Sequence, residues 1–182
     1  MVKRQDIIKN YDEPITEWMA RWSMPFLRVS VGIVFLWFGI LKFFPGLSPA
    51  QGLAIRTIDM LTFGILSDSL IIYTLAIWET LIGIGLVFKI YLRETLALLF
   101  LQMIGTITPI FFFPGEVFTQ IPYGLTLEGQ YIIKNMVVIS AGIALGATVR
   151  GGRIVADPKL VSLIDKKREE SALSHKSSKR VG

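Results

Sequence analysis

Four long apolar blocks constrain this chain more than any other feature of its sequence. They run approximately over residues 25–44, 70–90, 95–113 and 131–149. Each block is close to the ~20 residues that cross a hydrocarbon layer of ~30 Å at about 1.5 Å per helical residue. Because lipid offers the backbone no hydrogen-bond partners, a segment that crosses it is expected to be helical. The pattern predicts an all-α membrane protein with a bundle of four transmembrane helices.

The composition agrees with that class and removes several kinds of chemistry. Only 18% of the residues are charged, against roughly 25% in soluble domains. The chain has no cysteine, and its single histidine, His175, lies in the polar C-terminal segment. Thiolate catalysis, disulfides, iron–sulfur clusters and Cys/His zinc sites are therefore excluded. We predict no metal site and no covalently attached cofactor.

The distribution of Lys and Arg predicts the orientation of the helices. Five of these residues precede or begin the first block, two lie in the turn between the second and third blocks, and nine follow the fourth. The other three are Lys42, Arg56 and Lys134. The positive-inside rule then predicts that both termini are cytoplasmic. Because the basic residues flank apolar blocks and form no phosphate-tracking face, we expect no nucleic-acid partner.

We predict three parts along the chain. Residues 1–24 are expected to form a cytoplasmic amphipathic segment, with Trp18 and Trp22 at the level of the lipid head groups. Residues 25–150 form the four-helix transmembrane domain, and residues 151–182 form a basic cytoplasmic tail.

The two longer loops between the blocks lie on the outer side in this topology. A short helix is predicted at about residues 50–63, where apolar residues recur at helical spacing. The loop at about residues 114–128 contains two prolines and two glycines, which predicts irregular structure. Pro109, inside the third block, is expected to kink that helix.

Ionisable side chains inside the blocks are costly, at least ~2.5–3.5 kcal/mol each at a helix centre. Glu79 lies near the middle of the second block, and Lys42 and Lys134 lie near the outer ends of the first and fourth. We predict that they meet inside the bundle, with Gln102 and Asn135 adding hydrogen bonds. One interpretation is a small polar pocket, open to the outside, for a quinone head group, another small polar head group or a proton. The other is an ion pair that fixes helix register and binds no ligand.

Helical spacing predicts which faces point inward. Glycines within these faces favour close helix–helix approach. The predicted inward stripes comprise, on the first block, Arg28, Gly32, Phe35, Gly39 and Lys42; on the second, Glu79, Gly83, Leu86 and Ile90; and on the fourth, Asn135, Gly142 and Gly146.

Three short runs resemble the DoxX-like families of small bacterial membrane proteins. They are LWFGILKFFPG in the first block, WETLIGIGLVF in the second and LEGQYIIKNMVVISAG at the fourth. The resemblance covers about residues 25–150 and matches Lys42, Glu79, Lys134 and Asn135. These families are named after a small subunit of a quinol-oxidising respiratory complex, and some members are similar to a thiosulfate:quinone oxidoreductase subunit. The resemblance implies a multi-pass protein of the bacterial plasma membrane with a role in redox or envelope-stress physiology.

Three functions remain open at this point. The first is an accessory subunit of a quinone-linked oxidoreductase or envelope redox system, with quinone as ligand and the redox cofactor carried by a partner subunit. The second is a small proton-coupled transporter in which Glu79 titrates. The third is a non-catalytic membrane assembly factor. A stand-alone enzyme is the least favoured, since no nucleophile–base pair or phosphate loop is visible. Besides the lipid bilayer, the expected partners are redox-enzyme subunits and a second copy of the chain.

Overall fold

The predicted spans are present as helices in the computed structural model of the chain. The structure describes residues 4–44, 46–48, 50–152, 163 and 166, with side chains described from residue 14 onward. Within these residues, four helices are long and apolar enough to cross a membrane: Pro14–Leu41, Asp68–Phe88, Leu92–Phe112 and Leu127–Thr148. The protein is therefore mostly helical, with four candidate membrane-spanning helices.

The order of elements follows the apolar blocks and the turn residues between them. Ser67 caps the second span by accepting a hydrogen bond from the Leu70 amide, and Thr126 caps the fourth by accepting one from the Gly129 amide. The elements are α1 (Arg4–Leu41), α2 (Gln51–Leu61), α3 (Asp68–Phe88), α4 (Leu92–Ile107), α5 (Pro109–Phe112), α6 (Pro114–Val117), β1 (Phe118–Gln120), β2 (Gly124–Leu125) and α7 (Leu127–Thr148).

Helix α1 is longer than the first apolar block. From Arg4 onward, the predicted N-terminal segment and the first span form one continuous helix that passes through Pro14 and Pro25. No glycine occurs before Gly32, so the chain lacks the residue that most readily ends a helix. The predicted surface position of residues 1–24 stays a prediction. The basic tail, residues 151–182, lies almost entirely outside the described residues.

The two longer loops between the spans differ in how well the sequence predicted them. The helix expected at residues 50–63 is confirmed as α2. The loop at 114–128 is not irregular, because β1 and β2 pair as an antiparallel hairpin with Phe118 opposite Leu125. Aromatic and β-branched residues at 117–119 favour a strand. Pro109 interrupts the third span, since α4 ends at Ile107 and Pro109 is the first residue of α5.

Residues Met24–Gly151 form one compact unit that contains all the packing described below. Its core lies toward the end where residues 89–91 join α3 to α4, which we call the turn end; the opposite end carries α2. We call this core the apolar plug. It consists of the buried side chains Phe35, Ile82, Leu86, Leu96, Leu99, Met103 and Leu145.

The outward faces of the four spans are apolar. Trp37 on α1 is 66% exposed and Val137 on α7 is 70% exposed. Ile77 on α3 and Ile104 on α4 are also more than half exposed. Contiguous apolar surface of this kind is rare on soluble monomers. Such surface is typical of helix bundles that span a membrane.

Glycines bring α1 and α3 into close contact. A Cβ atom on Gly39 would lie 2.7 Å from the Thr80 amide nitrogen, and one on Gly83 would lie 2.6 Å from the Leu36 amide nitrogen. The prediction that glycines on these faces permit close approach is therefore confirmed for this pair of helices. Gly146 differs, because it is exposed and the nearest side-chain atom to its Cβ position is 4.0 Å away.

Candidate functional site

A cavity of about 430 Å³ lies in the half of the bundle nearest α2. Its walls come from the second half of α1, the first half of α3, the second half of α4 with Pro109, and the first half of α7. One face of α2 covers it through Leu53, Ala54, Thr57, Ile58 and Leu61. Phe35 and Met103 belong both to the cavity wall and to the apolar plug. The cavity is therefore bounded by packed apolar side chains on the side of the turn end.

A polar cluster of Lys42, Glu79 and Gln102 lies on the wall of this cavity. Lys42 Nζ donates to Glu79 Oε2 at 2.6 Å, and Gln102 Nε2 donates to Glu79 Oε1 at 2.8 Å. The side chains of Lys42 and Glu79 are only 10% and 11% exposed. Each carboxylate oxygen thus has its own donor, which offsets the cost of burying the charge.

The packing of α1 on α3 positions this cluster. The Cβ position of Gly39 is 3.1 Å from the carbonyl carbon of Glu79, so the two helix backbones nearly touch there. Lys42 follows Gly39 by three residues, less than one helical turn. The close approach at Gly39 therefore brings the lysine ammonium within reach of the Glu79 carboxylate.

Asn135 occupies another part of the same wall. Its Nδ2 donates to Thr106 Oγ1 at 3.2 Å, and the Thr106 hydroxyl donates to the Met103 carbonyl at 3.0 Å. Both Asn135 and Thr106 line the cavity. They form a second polar pair that has no direct hydrogen bond to Glu79 among the described residues.

Lys134 does not join the other predicted site residues. Its side chain is exposed, and its Nζ lies 5.7 Å from the centroid of the Tyr131 ring. Successive residues of a helix point about 100° apart, as 3.6 residues complete each turn. Since α7 turns Asn135 toward the cavity, it turns Lys134 away. The structure therefore places Lys42, Glu79, Gln102 and Asn135 around one cavity and leaves Lys134 outside it.

Aromatic side chains that the sequence did not single out as site residues also line the cavity. The Trp78 indole N–H donates to the Leu98 carbonyl at 3.2 Å, which fixes the plane of its ring. Phe38 and Tyr131 meet edge to face with ring centroids 6.4 Å apart. A tryptophan in a membrane-spanning helix is typical of membrane boundaries. The residue type alone therefore did not indicate that Trp78 lines the cavity. Its place directly before Glu79 was the available signal.

An ion pair and a cation–ring contact connect helix α2 to the segment after α4. The Arg56 guanidinium pairs with the Glu116 carboxylate and lies 5.9 Å from the centroid of the Phe113 ring. One turn earlier on α2, Leu53 packs with Val117 and Ile132. The four-residue spacing of Leu53, Thr57 and Leu61 in the sequence was the signal that one face of this helix is covered.

Arg28 lies at the turn end, away from the cavity. Its guanidinium donates to the carbonyls of Leu86 and Val87, the latter at 2.9 Å. These carbonyls belong to the last turn of α3, where a positive charge is favoured by the helix dipole. Arg28 therefore caps α3 and takes no part in the polar cluster.

The described residues contain no group of three or more His, Cys, Asp or Glu side chains that could hold a metal ion. The arrangement offers instead hydrogen bonds and flat apolar walls to a small molecule. In comparisons with known protein families, characterised proteins and solved structures, nothing matches this chain. The resemblance to the DoxX-like families therefore rests on the three short runs alone.

Proposed function

We propose that this is a multi-pass membrane protein that binds the polar head of a small lipophilic molecule in the cavity beneath α2. A quinone is the ligand we propose, and an accessory subunit of a quinone-linked oxidoreductase or envelope redox system is the role. One observation carries the proposal: Lys42, Glu79 and Gln102 form a hydrogen-bonded cluster on the wall of a cavity that is otherwise mainly apolar. Ligand sites commonly combine apolar walls with a few well-placed polar groups.

Two features of the chain support the proposed membrane topology. The exposed faces of all four spans are apolar. Most of the Lys and Arg residues lie at the termini and in the α3–α4 turn, which supports cytoplasmic termini by the positive-inside rule. In that orientation, α2 and the cavity face the outer side of the membrane. The resemblance to DoxX-like proteins supports the bacterial plasma membrane.

The size of the cavity supports a head group as the occupant. Sites for small molecules typically measure roughly 300–1,000 Å³, and this cavity measures about 430 Å³. A substituted ring fits such a volume, while a long isoprenoid chain exceeds it. The chain of a quinone would therefore extend into the surrounding lipid.

The apolar plug favours binding over transport. Seven buried side chains fill the bundle between the cavity and the turn end. A polar solute would have to displace this packed layer, since protein interiors leave few voids larger than a water molecule. The arrangement suits a site that is reached from one side.

The composition of the chain supports the proposed accessory role. With no cysteine and a single histidine outside the apolar blocks, the usual ligands of iron–sulfur clusters and haem are missing. We therefore propose that a partner subunit carries the redox cofactor. This chain would supply the quinone-facing site.

Native purification in mild detergent, followed by mass spectrometry of co-eluting lipids and proteins, tests the proposal. We expect a quinone and redox subunits to elute with the protein.

Two substitutions on α2 test whether the quinone binds in the cavity. Ala54→Phe fills the cavity, while Met60→Phe adds a ring to the exposed face of the same helix. Bound quinone should fall with Ala54→Phe and stay unchanged with Met60→Phe. Absence of quinone from the unsubstituted protein would contradict the proposal.

A proton-coupled transporter is the second candidate, favoured by the buried acid Glu79. It predicts that Glu79→Gln abolishes substrate-driven proton flux in proteoliposomes while the protein keeps its fold. Equal flux in both proteins would remove Glu79 from that role. A purely structural assembly factor predicts instead that the double substitution of Lys42 to Met and Glu79 to Gln is tolerated in cells.

A further inference from the structure

Lys42 places charged N–H donors on the wall of the cavity. A lysine ammonium carries three N–H donors, and among the described residues only Glu79 accepts one from Lys42. Glu79 accepts from Lys42 and from Gln102, and its carboxylate keeps further lone pairs. A quinone carbonyl accepts hydrogen bonds and donates none, so the remaining donors of Lys42 match it and the lone pairs of Glu79 do not.

We propose that Lys42 is the group that contacts the ligand, that Glu79 and Gln102 position it, and that the site selects an uncharged head group carrying an acceptor oxygen. This inference rests on the proposed function and specifies the ligand class of the same site. A ring carbonyl has the required chemistry, because it accepts a charge-assisted hydrogen bond without bringing a charge into the cavity.

The walls of the cavity favour a flat ring. Trp78, Phe38 and Tyr131 all line it, and the indole hydrogen bond to Leu98 holds Trp78 in place. Aromatic rings pack against one another in stacked or edge-to-face geometry. A planar head group would lie between such walls with its oxygen directed at Lys42.

The ion pair at the polar cluster favours a neutral head group there. Lys42 and Glu79 neutralise each other, so an ion would lose its hydration without meeting an unpaired opposite charge at the cluster. Glu128, in the first turn of α7, also lines the cavity, and its carboxylate repels an anion such as a fatty-acid head group. A neutral acceptor avoids these costs.

Three variants separate contact from positioning. The double substitution Lys42→Met with Glu79→Gln removes the donor without leaving a buried unpaired charge. Glu79→Gln alone removes the positioning carboxylate and keeps the donor. Lys134→Met removes the lysine that lies outside the cavity and is the matched control. The probe is a short-chain benzoquinone titrated into the purified full-length protein, with binding measured by calorimetry and the carbonyl stretching band by infrared spectroscopy.

We expect the double variant to bind the benzoquinone about 10- to 100-fold more weakly, the range for loss of a hydrogen bond to a charged group. Glu79→Gln should lose less affinity and alter the position of the carbonyl band. Lys134→Met should match the unsubstituted protein. Tetraphenylphosphonium and a fatty-acid anion should bind more weakly than the benzoquinone.

Two results would overturn this inference while leaving the proposed function intact. If the benzoquinone binds equally well to the double variant, Lys42 is not the contact. If Glu79→Gln and the double variant agree in both affinity and the position of the carbonyl band, the Lys42 retained in the single variant makes no contact and the inference fails. Preference for the phosphonium cation over the benzoquinone would overturn both the inference and the quinone proposal.

Discussion

Gly83 is a position where an added methyl group should directly disturb the packing of α3 on α1. Its Cβ would lie 2.6 Å from a backbone nitrogen of α1, and a backbone atom cannot rotate away as a side chain can. Overpacking of this kind typically costs about 1–3 kcal/mol. We expect Gly83→Ala to lower the thermal unfolding midpoint in detergent, measured by intrinsic fluorescence.

Gly105→Ala is the matched control for that substitution. Gly105 also lies inside a candidate membrane-spanning helix, yet no atom beyond the nearby backbone of its own helix lies within 4 Å of its Cβ position. Ala is favoured over Gly in a helix by roughly 0.5–1 kcal/mol, so this variant should unfold at the same temperature or higher. Equal destabilisation by both substitutions would mean that α1 does not pack on α3 as described.

Arg28 is expected to matter for stability and not for ligand binding. Its guanidinium satisfies two carbonyls at the end of α3, and a hydrogen bond from a charged donor contributes about 1.5–3 kcal/mol. We expect Arg28→Met to lower the unfolding midpoint while leaving benzoquinone affinity unchanged. Arg21→Met, at an exposed arginine beside Trp22, should change the midpoint much less. A loss of affinity in a stable Arg28 variant would show that the arginine acts on the site.

Lys42 and Lys134 illustrate what a sequence leaves undetermined about a buried site. Depth along the helices predicted that Glu79 would meet a lysine, and Lys42 lies on a stripe whose spacing was clear. Lys134 had a similar depth, but the face of α7 that points inward depends on packing between helices. Apolar residues of α7 occur all around its axis, so their spacing in the sequence did not show which face of the helix points inward. Lys134 and Asn135, as neighbours in sequence, were not both able to point into one cavity.

The ion pair between Arg56 and Glu116 should control how tightly α2 covers the cavity. Both side chains are substantially exposed, and exposed pairs typically contribute about 0.2–1 kcal/mol. We expect Arg56→Gln to accelerate hydrogen exchange of backbone amides in α2 by about 1.5- to 5-fold. Exchange in α3 and α7 should be unchanged, which serves as the internal control.

A second substitution tests the partner of Arg56. Glu116→Gln should produce the same change in α2, and combining the two should add little, because they remove one shared interaction. Additive effects of the two substitutions would argue that the pair does not hold α2 in solution.

Among the helices and strands, the clearest sequence signals were long apolar runs and regular spacing. They specified the four spans, α2, and the stripe from Arg28 to Lys42. The hairpin after α6 escaped prediction because its strands are only three and two residues long, too short for an alternating pattern to stand out. The continuous α1 was missed since its N-terminal charges suggested a separate surface segment, while no residue between them and the span ends the helix.

For the molecule as a whole, the topology can be tested because the chain has no native cysteine. Tyr123→Cys places a thiol at an exposed position in the hairpin, and Arg93→Cys places one at an exposed position near the α3–α4 turn. A membrane-impermeant maleimide should label the first in intact cells and the second only after permeabilisation. The reverse pattern would invert the proposed orientation.

The apolar plug has an electrical consequence for a protein in an energised membrane. If the cavity above it holds water or polar groups, most of the transmembrane potential falls across the plug and not across the cavity. A charge moved through the full potential changes energy by about 2.3 kcal/mol per 100 mV, but Lys42 and Glu79 would sense only a small fraction of it. In the proposed orientation, ligand occupancy should then follow the composition of the outer leaflet and stay nearly constant while the membrane potential rises and falls.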